Sequence, residues 1–126
     1  MYTVTVRDKI LIAHSLKAES FGKAQRLHGA TYIVDAEFGR SELDTHNRVI
    51  DIGQANRILK DVLSELDYHN LDELDPFRSQ KTTAEFLAKY IHDTLSARIR
   101  SFFQGRLAVT LHESHVAWAS YTAPVD

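Results

Sequence analysis

The sequence predicts an α+β fold, a four-stranded antiparallel sheet with two helices on one face, in the order β-β-α-α-β-β. Three observations point there. Two long stretches near the N-terminus alternate apolar and polar residues with period two, and two central stretches repeat apolar residues with period 3.6. A final pair of short alternating stretches closes the chain. The most economical packing of hairpin, helix pair and hairpin is one sheet with both helices against the same face.

The elements follow in order. Tyr2 to Leu16 alternates and then turns apolar through Ile10, Leu11, Ile12 and Ala13, as a long or bent strand does. Lys17 to Leu27 is polar, contains Gly22 and reads as a loop. His28 to Leu43 alternates again, with Tyr32, Val34, Ala36 and Phe38 on one face, and should pair with the first strand as an antiparallel hairpin. Ile52, Ala55, Ile58, Leu59, Val62, Leu63 and Leu66 form an apolar stripe, which predicts a helix from about Gly53 to Leu66. Asn70 to Gln80, with Pro76, is a loop. Thr82 or Thr83 caps a second helix running to about Arg100, with Phe86, Leu87, Tyr90, Ile91, Leu95 and Ile99 buried. Glu85 falls in its first turn, where a carboxylate suits the helix dipole. Residues 107–113 and 116–121 read as a last hairpin. Phe38, Val109, Leu111 and Trp118 are more apolar than a solvated sheet face needs, so subunits are expected to cover the sheet and close its edges.

Composition narrows the function classes. The 126 residues suit one domain, 1–126, and the mix of 44% hydrophobic and 25% charged residues is that of a globular chain. A net charge of -2 argues against nucleic acid as a partner, because phosphate binding needs clustered cations. There is no cysteine, so disulfides, thiolate metal sites and a cysteine nucleophile are excluded. No apolar run approaches the roughly 20 residues of a membrane span. The start alternates like a strand and lacks the form of a signal peptide. A cytoplasmic protein is the expectation.

Five short motifs resemble one known family. They are Ala13-His14-Ser15-Leu16, Arg26-Leu27-His28-Gly29, Leu66-Asp67-Tyr68-His69-Asn70-Leu71, Thr83-Ala84-Glu85-Phe86-Leu87-Ala88 and Leu111-His112-Glu113-Ser114. Each is weak alone, but together they follow the order and spacing of 6-pyruvoyl-tetrahydropterin synthase and the related carboxy-tetrahydropterin synthase of queuosine biosynthesis. The resemblance implies the T-fold, or tunnelling fold, in which three subunits join sheets into a barrel. Two such rings stack into a homo-hexamer, with active sites between subunits.

The resemblance also implies a metal site of three histidines, and here the chain departs from it. His14 and His28 fill two positions, but Ala30 stands at the third. Catalytic zinc takes three protein ligands and an open position, so no zinc or other cofactor is expected and the histidines read as pocket-lining remnants. The family's cysteine position is Ala24. Its Asp-His proton relay becomes Asp67-Tyr68, and a phenol with pKa near about 10 does not cycle protons at neutral pH. His69 matches a second, non-catalytic histidine of that motif.

The ligand-gripping positions are kept. The resemblance places Glu113 where a carboxylate accepts two N–H bonds from the amidine edge of a pterin, a geometry two acceptor oxygens suit. Thr83 and Glu85 match residues lining that pocket, although cap and first-turn acid explain them structurally. Asp67 is counted with the ligand-binding positions, yet Asp67 and Tyr68 could equally cap the first helix. His112 alternates away from Glu113, and neither it nor His115 is an easy substitute ligand. His46 and His92 read as surface residues, Trp118 and Phe38 as sheet packing.

The resulting expectation is a hexameric homologue that binds a pterin or deazapurine and has lost zinc and the synthase reaction, a carbon–oxygen lyase step in the family. The alternative is a metal-free, aldolase- or epimerase-like pterin lyase using Tyr68 and a lysine, Lys23 or Lys81. A third reading is a structural oligomer with a vestigial pocket.

Overall fold

The computed structural model covers residues 1–126 and is α+β. Strands β1 (Tyr2–His14) and β2 (His28–Arg40) form the long antiparallel hairpin, in register from Tyr2 opposite Arg40 to His14 opposite His28. Helix α1 (Ile52–Ser64) follows, then a two-residue strand β3 (His69–Asn70), helix α2 (Ala84–Ile99), and the hairpin β4 (Gly105–His112) and β5 (Trp118–Val125). The sheet order is β3-β1-β2-β4-β5.

The sheet therefore has five strands, not the four read from the sequence. The added β3 runs parallel to β1 and pairs only with Ile12 and Ala13. The loops also hold short 3₁₀ turns at Glu19–Gln25, Leu71–Glu73 and Asp75–Phe77, the first broken at Gly22, whose φ is +56°. Strand β5 extends past the expected Tyr121 to Val125.

Both helices begin as their sequences dictate. The Asp51 carboxylate accepts from the Gln54 N–H, and the Thr83 hydroxyl accepts from the Phe86 N–H at 3.2 Å. One core of 27 buried residues lies between the helices and one sheet face, with Ile10, Val34, Phe38, Leu87, Ile91, Leu107 and Leu111 sealed from water. Ile52, expected in the α1 stripe, is exposed because the helix starts there, beyond the sheet.

The bare face differs from expectation. Phe38, Val109 and Leu111 all point into the core, Phe38 against Phe103 with ring centroids 5.5 Å apart. Only Trp118 of those four is exposed, leaning on His112 rather than packing inside. The open face carries a charged network across three strands. Arg7 donates to both oxygens of Asp35 at 2.6 and 2.9 Å, and His112 Nε2 lies 2.9 Å from the same carboxylate. The Arg7 guanidinium holds Asp35 below the usual carboxylate range. Buried His92 is a second correction: it sits against the Tyr121 ring and the Ala123 carbonyl, because β5 covers that side of α2.

Candidate functional site

Where β1 ends and β2 begins, the paired positions His14 and His28 place two imidazoles edge to face, 4.7 Å between centroids. Alternation carries that wall along β2, because residues 28, 30 and 32 share one face of the strand. Opposite stands the start of α2, and β4 runs out toward Glu113 from its last ladder pair, His112 with Ile33. These elements enclose a cavity of about 280 Å³ lined by His14, Leu16, Phe21, Ala24, His28, Ala30, Tyr32, Thr83, Ala84, Glu85 and Glu113.

One end of the molecule thus gathers most of the positions that the sequence singled out. His14, His28, Ala24, Ala30, Thr83, Glu85 and Glu113 all line this cavity. Asp67, Tyr68, Lys23 and Lys81 do not line it. Asp67 accepts from the Leu11 N–H at 2.8 Å and thereby fastens the edge of β1, a different duty from capping α1. Tyr68 is 81% exposed, with φ of +60°, and its N–H bonds the Leu11 carbonyl. Lys81 borders a neighbouring depression with Ser15 and Asp72. His46 and His115 are exposed. Larger depressions exist, such as one of about 600 Å³ around Gly39 and Arg106, but no imidazole lines it.

The imidazoles are held from behind. His14 Nδ1 is 2.9 Å from the buried Thr82 hydroxyl, and His28 Nδ1–H donates to the Arg26 carbonyl at 2.7 Å. A carbonyl can only accept, so neutral His28 carries its proton on Nδ1 and keeps the Nε2 lone pair free. Burial, and then the nearness of His28, lowers the His14 pKa, so His14 is neutral at pH 7. Behind it, Asp72 accepts from both the Ser15 N–H and the Ser15 hydroxyl, and Asn70 accepts from the Asp72 N–H. The short β3 and the turn after it therefore clamp the end of β1 that bears His14.

The acids stand at the rim and Tyr32 at the base. Glu85 and Glu113 are exposed, whereas Tyr32 retains only 2% of its surface. Burial, followed by the charges of Glu113 and Glu85, pushes the Tyr32 phenol up to about 12. Tyr32 was not among the residues that the motifs marked. Its signal was present, since period two from His28 through Ala30 reaches it.

The donor set does not fit the three-histidine metal site that the motifs imply. Ala30 offers no donor, and no three His, Cys, Asp or Glu side chains of the chain cluster to hold an ion.

Comparison with known proteins decides the family. The family model described as 6-pyruvoyl tetrahydropterin synthase matches residues 3–124. The chain belongs to the 6-pyruvoyl tetrahydropterin synthase family. Among solved structures, 6-pyruvoyl tetrahydropterin synthase from Caenorhabditis elegans is 25% identical, with a TM-score of 0.84, over 97% of this chain and 95% of that one. The Plasmodium falciparum synthase shares the fold at 16% identity and a TM-score of 0.78, covering 98% of each chain. An uncharacterized protein of Wolinella succinogenes, WS1659, shares it at 15% identity and a TM-score of 0.68, over 95% of this chain and 97% of that one. No curated protein matches. The family's T-fold accounts for the sheet and helix arrangement of this member.

Proposed function

We propose that this member of the 6-pyruvoyl tetrahydropterin synthase family binds a pterin-type ring, a pterin or a deazapurine, without zinc and without the synthase reaction. The observation that carries the reading is the contents of one cavity. Glu113, Glu85 and Thr83 gather there with His14 and His28, while Ala24 and Ala30 occupy the wall where the resemblance implies a thiol and a third imidazole. Carboxylates at the rim suit a ligand edge rich in N–H groups. A wall of two imidazoles and two alanines offers neither a thiol nor a full zinc shell.

At about 280 Å³ the cavity lies at the small end of ligand sites, which run roughly 300–1,000 Å³. Its small size suits a site that a neighbouring subunit completes, as in the cytoplasmic homo-hexamer of two stacked trimers proposed here. Nothing in the single chain brings Tyr68 or a lysine to the cavity, so the metal-free lyase has no observation in its favour.

The test has three parts on the purified protein. Calorimetry with neopterin is expected to show micromolar or tighter binding. Elemental analysis after dialysis is expected to find zinc far below one per subunit. Incubation with dihydroneopterin triphosphate is expected to give no pyruvoyl product. Stoichiometric zinc or synthase turnover would overturn the loss of metal and chemistry. Absence of neopterin binding would leave the vestigial-pocket oligomer.

A further inference from the structure

Tyr32 stands on β2 one residue before Ile33, whose partner on β4 is His112. Continuing that antiparallel register by one residue sets Tyr32 directly across from Glu113, on the helix-facing side of the sheet. Cross-strand neighbours of this kind lie about 5 Å apart at Cβ, within reach of a tyrosine and a glutamate. Both residues line the cavity, but Tyr32 is buried and Glu113 is exposed. A buried phenol facing a carboxylate has one useful role, because its O–H can donate and a carboxylate can only accept.

We propose that Tyr32 is a positioning residue: its phenol donates to Glu113 and fixes the carboxylate so that its remaining lone pairs face the ring-sized cavity. The proposal rests on the pterin-type reading of that cavity. Burial and the two carboxylates keep the phenol protonated far above neutral pH, with a pKa of about 12, so the donor does not switch off in working conditions. An exposed glutamate on a strand end otherwise samples several rotamers, and each must be given up on binding. Tyr32 removes that freedom beforehand. It thereby favours ligands that offer a fork of N–H donors over those with an oxygen in that place. The two rim acids are then unequal, since only Glu113 has a buried donor across the strand pair, while Glu85 hangs from the first turn of α2.

Two measurements test this, and they separate it from the functional reading. The first needs no ligand. With ¹³Cζ-labelled tyrosine, the resonance missing in Tyr32→Phe identifies Tyr32, whose alkaline midpoint is expected near about 12. Glu113→Gln should lower that midpoint, and an unchanged midpoint overturns the Tyr32–Glu113 pairing. The second compares neopterin with the lumazine that carries the same 6-trihydroxypropyl chain, in which an oxygen replaces the 2-amino group. Tyr32→Phe should weaken neopterin about tenfold, as loss of one hydrogen bond does, and leave that lumazine within about twofold. Equal loss for both ligands, or none for either, overturns the positioning role. If the parent binds neither, the pterin reading fails with the ligand half of the proposal, and the tyrosine titration still decides the pairing.

Discussion

At the scale of single residues, Glu113 and His14 make opposite demands on solvent. Glu113 is exposed on a strand end, so the native fold asks little of it and ligand binding can ask much. Glu113→Gln keeps the shape but replaces one acceptor oxygen with an NH₂ donor, which would face a donor on the ring. Loss of a charge-assisted bond together with that clash should cost about 2–4 kcal/mol of neopterin affinity by calorimetry. Thr83→Val should cost affinity about 1 kcal/mol, and it also removes the N-cap bond to Phe86, so its thermal midpoint should drop as well. Equal neopterin affinity in parent and Glu113→Gln would rule out the anchor.

His14 is buried, and burial with His28 beside it lowers its pKa. Between that lowered value and the unfolded value near about 6.5, the unfolded chain holds a proton that the native chain does not. Stability from this group is therefore complete above about pH 6.5 and is lost as pH falls below it, levelling off beneath the native value. The slope for one proton is at most about 1.4 kcal/mol per pH unit. His14→Gln, which can still bond Thr82, should flatten the acid side of urea-denaturation midpoints measured from pH 7.5 to 5. Parallel curves for the two proteins would remove His14 as the source.

At the scale of elements, the clamp at the end of β1 is the feature that positions the site. Asp67 closes the Leu11 N–H, Tyr68 bonds the Leu11 carbonyl, and β3 adds its two pairs at Ile12 and Ala13. Asp67→Ala should cost about 1 kcal/mol in denaturation, as one lost hydrogen bond does, and should speed amide exchange at Leu11 selectively. Uniform exchange changes would mean that Asp67 does not act locally. This clamp also marks where sequence reasoning stops. The long hairpin, both helices and the last hairpin were legible because period two or 3.6 runs through eight residues or more of each. β3 was not, because two residues carry no period and their pairing is decided by α1 returning the chain beside β1. The same limit applies to His92. Its burial comes from β5 folding over α2, a contact between elements with no mark in the helix's own sequence. Within the site, the motifs found the rim and the imidazole wall but overlooked Tyr32, whose face looks like ordinary core until Glu113 is known to sit across from it.

At the scale of the whole molecule, the sheet is left open in a particular way. β5 is an edge strand along its full length, and β1 is covered on its outer side only at Ile12 and Ala13. Unpaired edges of this length invite pairing with another chain. The exposed apolar side chains add direction. Five of the nine large exposed apolar side chains, Leu11, Leu27, Tyr68, Val116 and Trp118, lie at or next to the strand ends that hold the cavity, while Met1, Tyr2, Ile52 and Phe102 are exposed elsewhere. The bare face, in contrast, is charged through Arg7, Asp35 and His112, so it is built to face water or a polar channel rather than to be buried. In the homo-hexamer proposed above, edge pairing with contacts around the cavity would satisfy these features, and a ring of subunits would leave its polar faces inward. Light scattering at micromolar concentration should therefore report a trimer or hexamer. Trp118→Asp together with Val116→Asp should dissociate it and weaken neopterin binding in parallel, because the cavity loses its neighbour. The substitutions lie outside the core, so circular dichroism should be unchanged. A monomeric parent, or a dissociated variant that binds neopterin like the parent, would show that one chain carries the whole site.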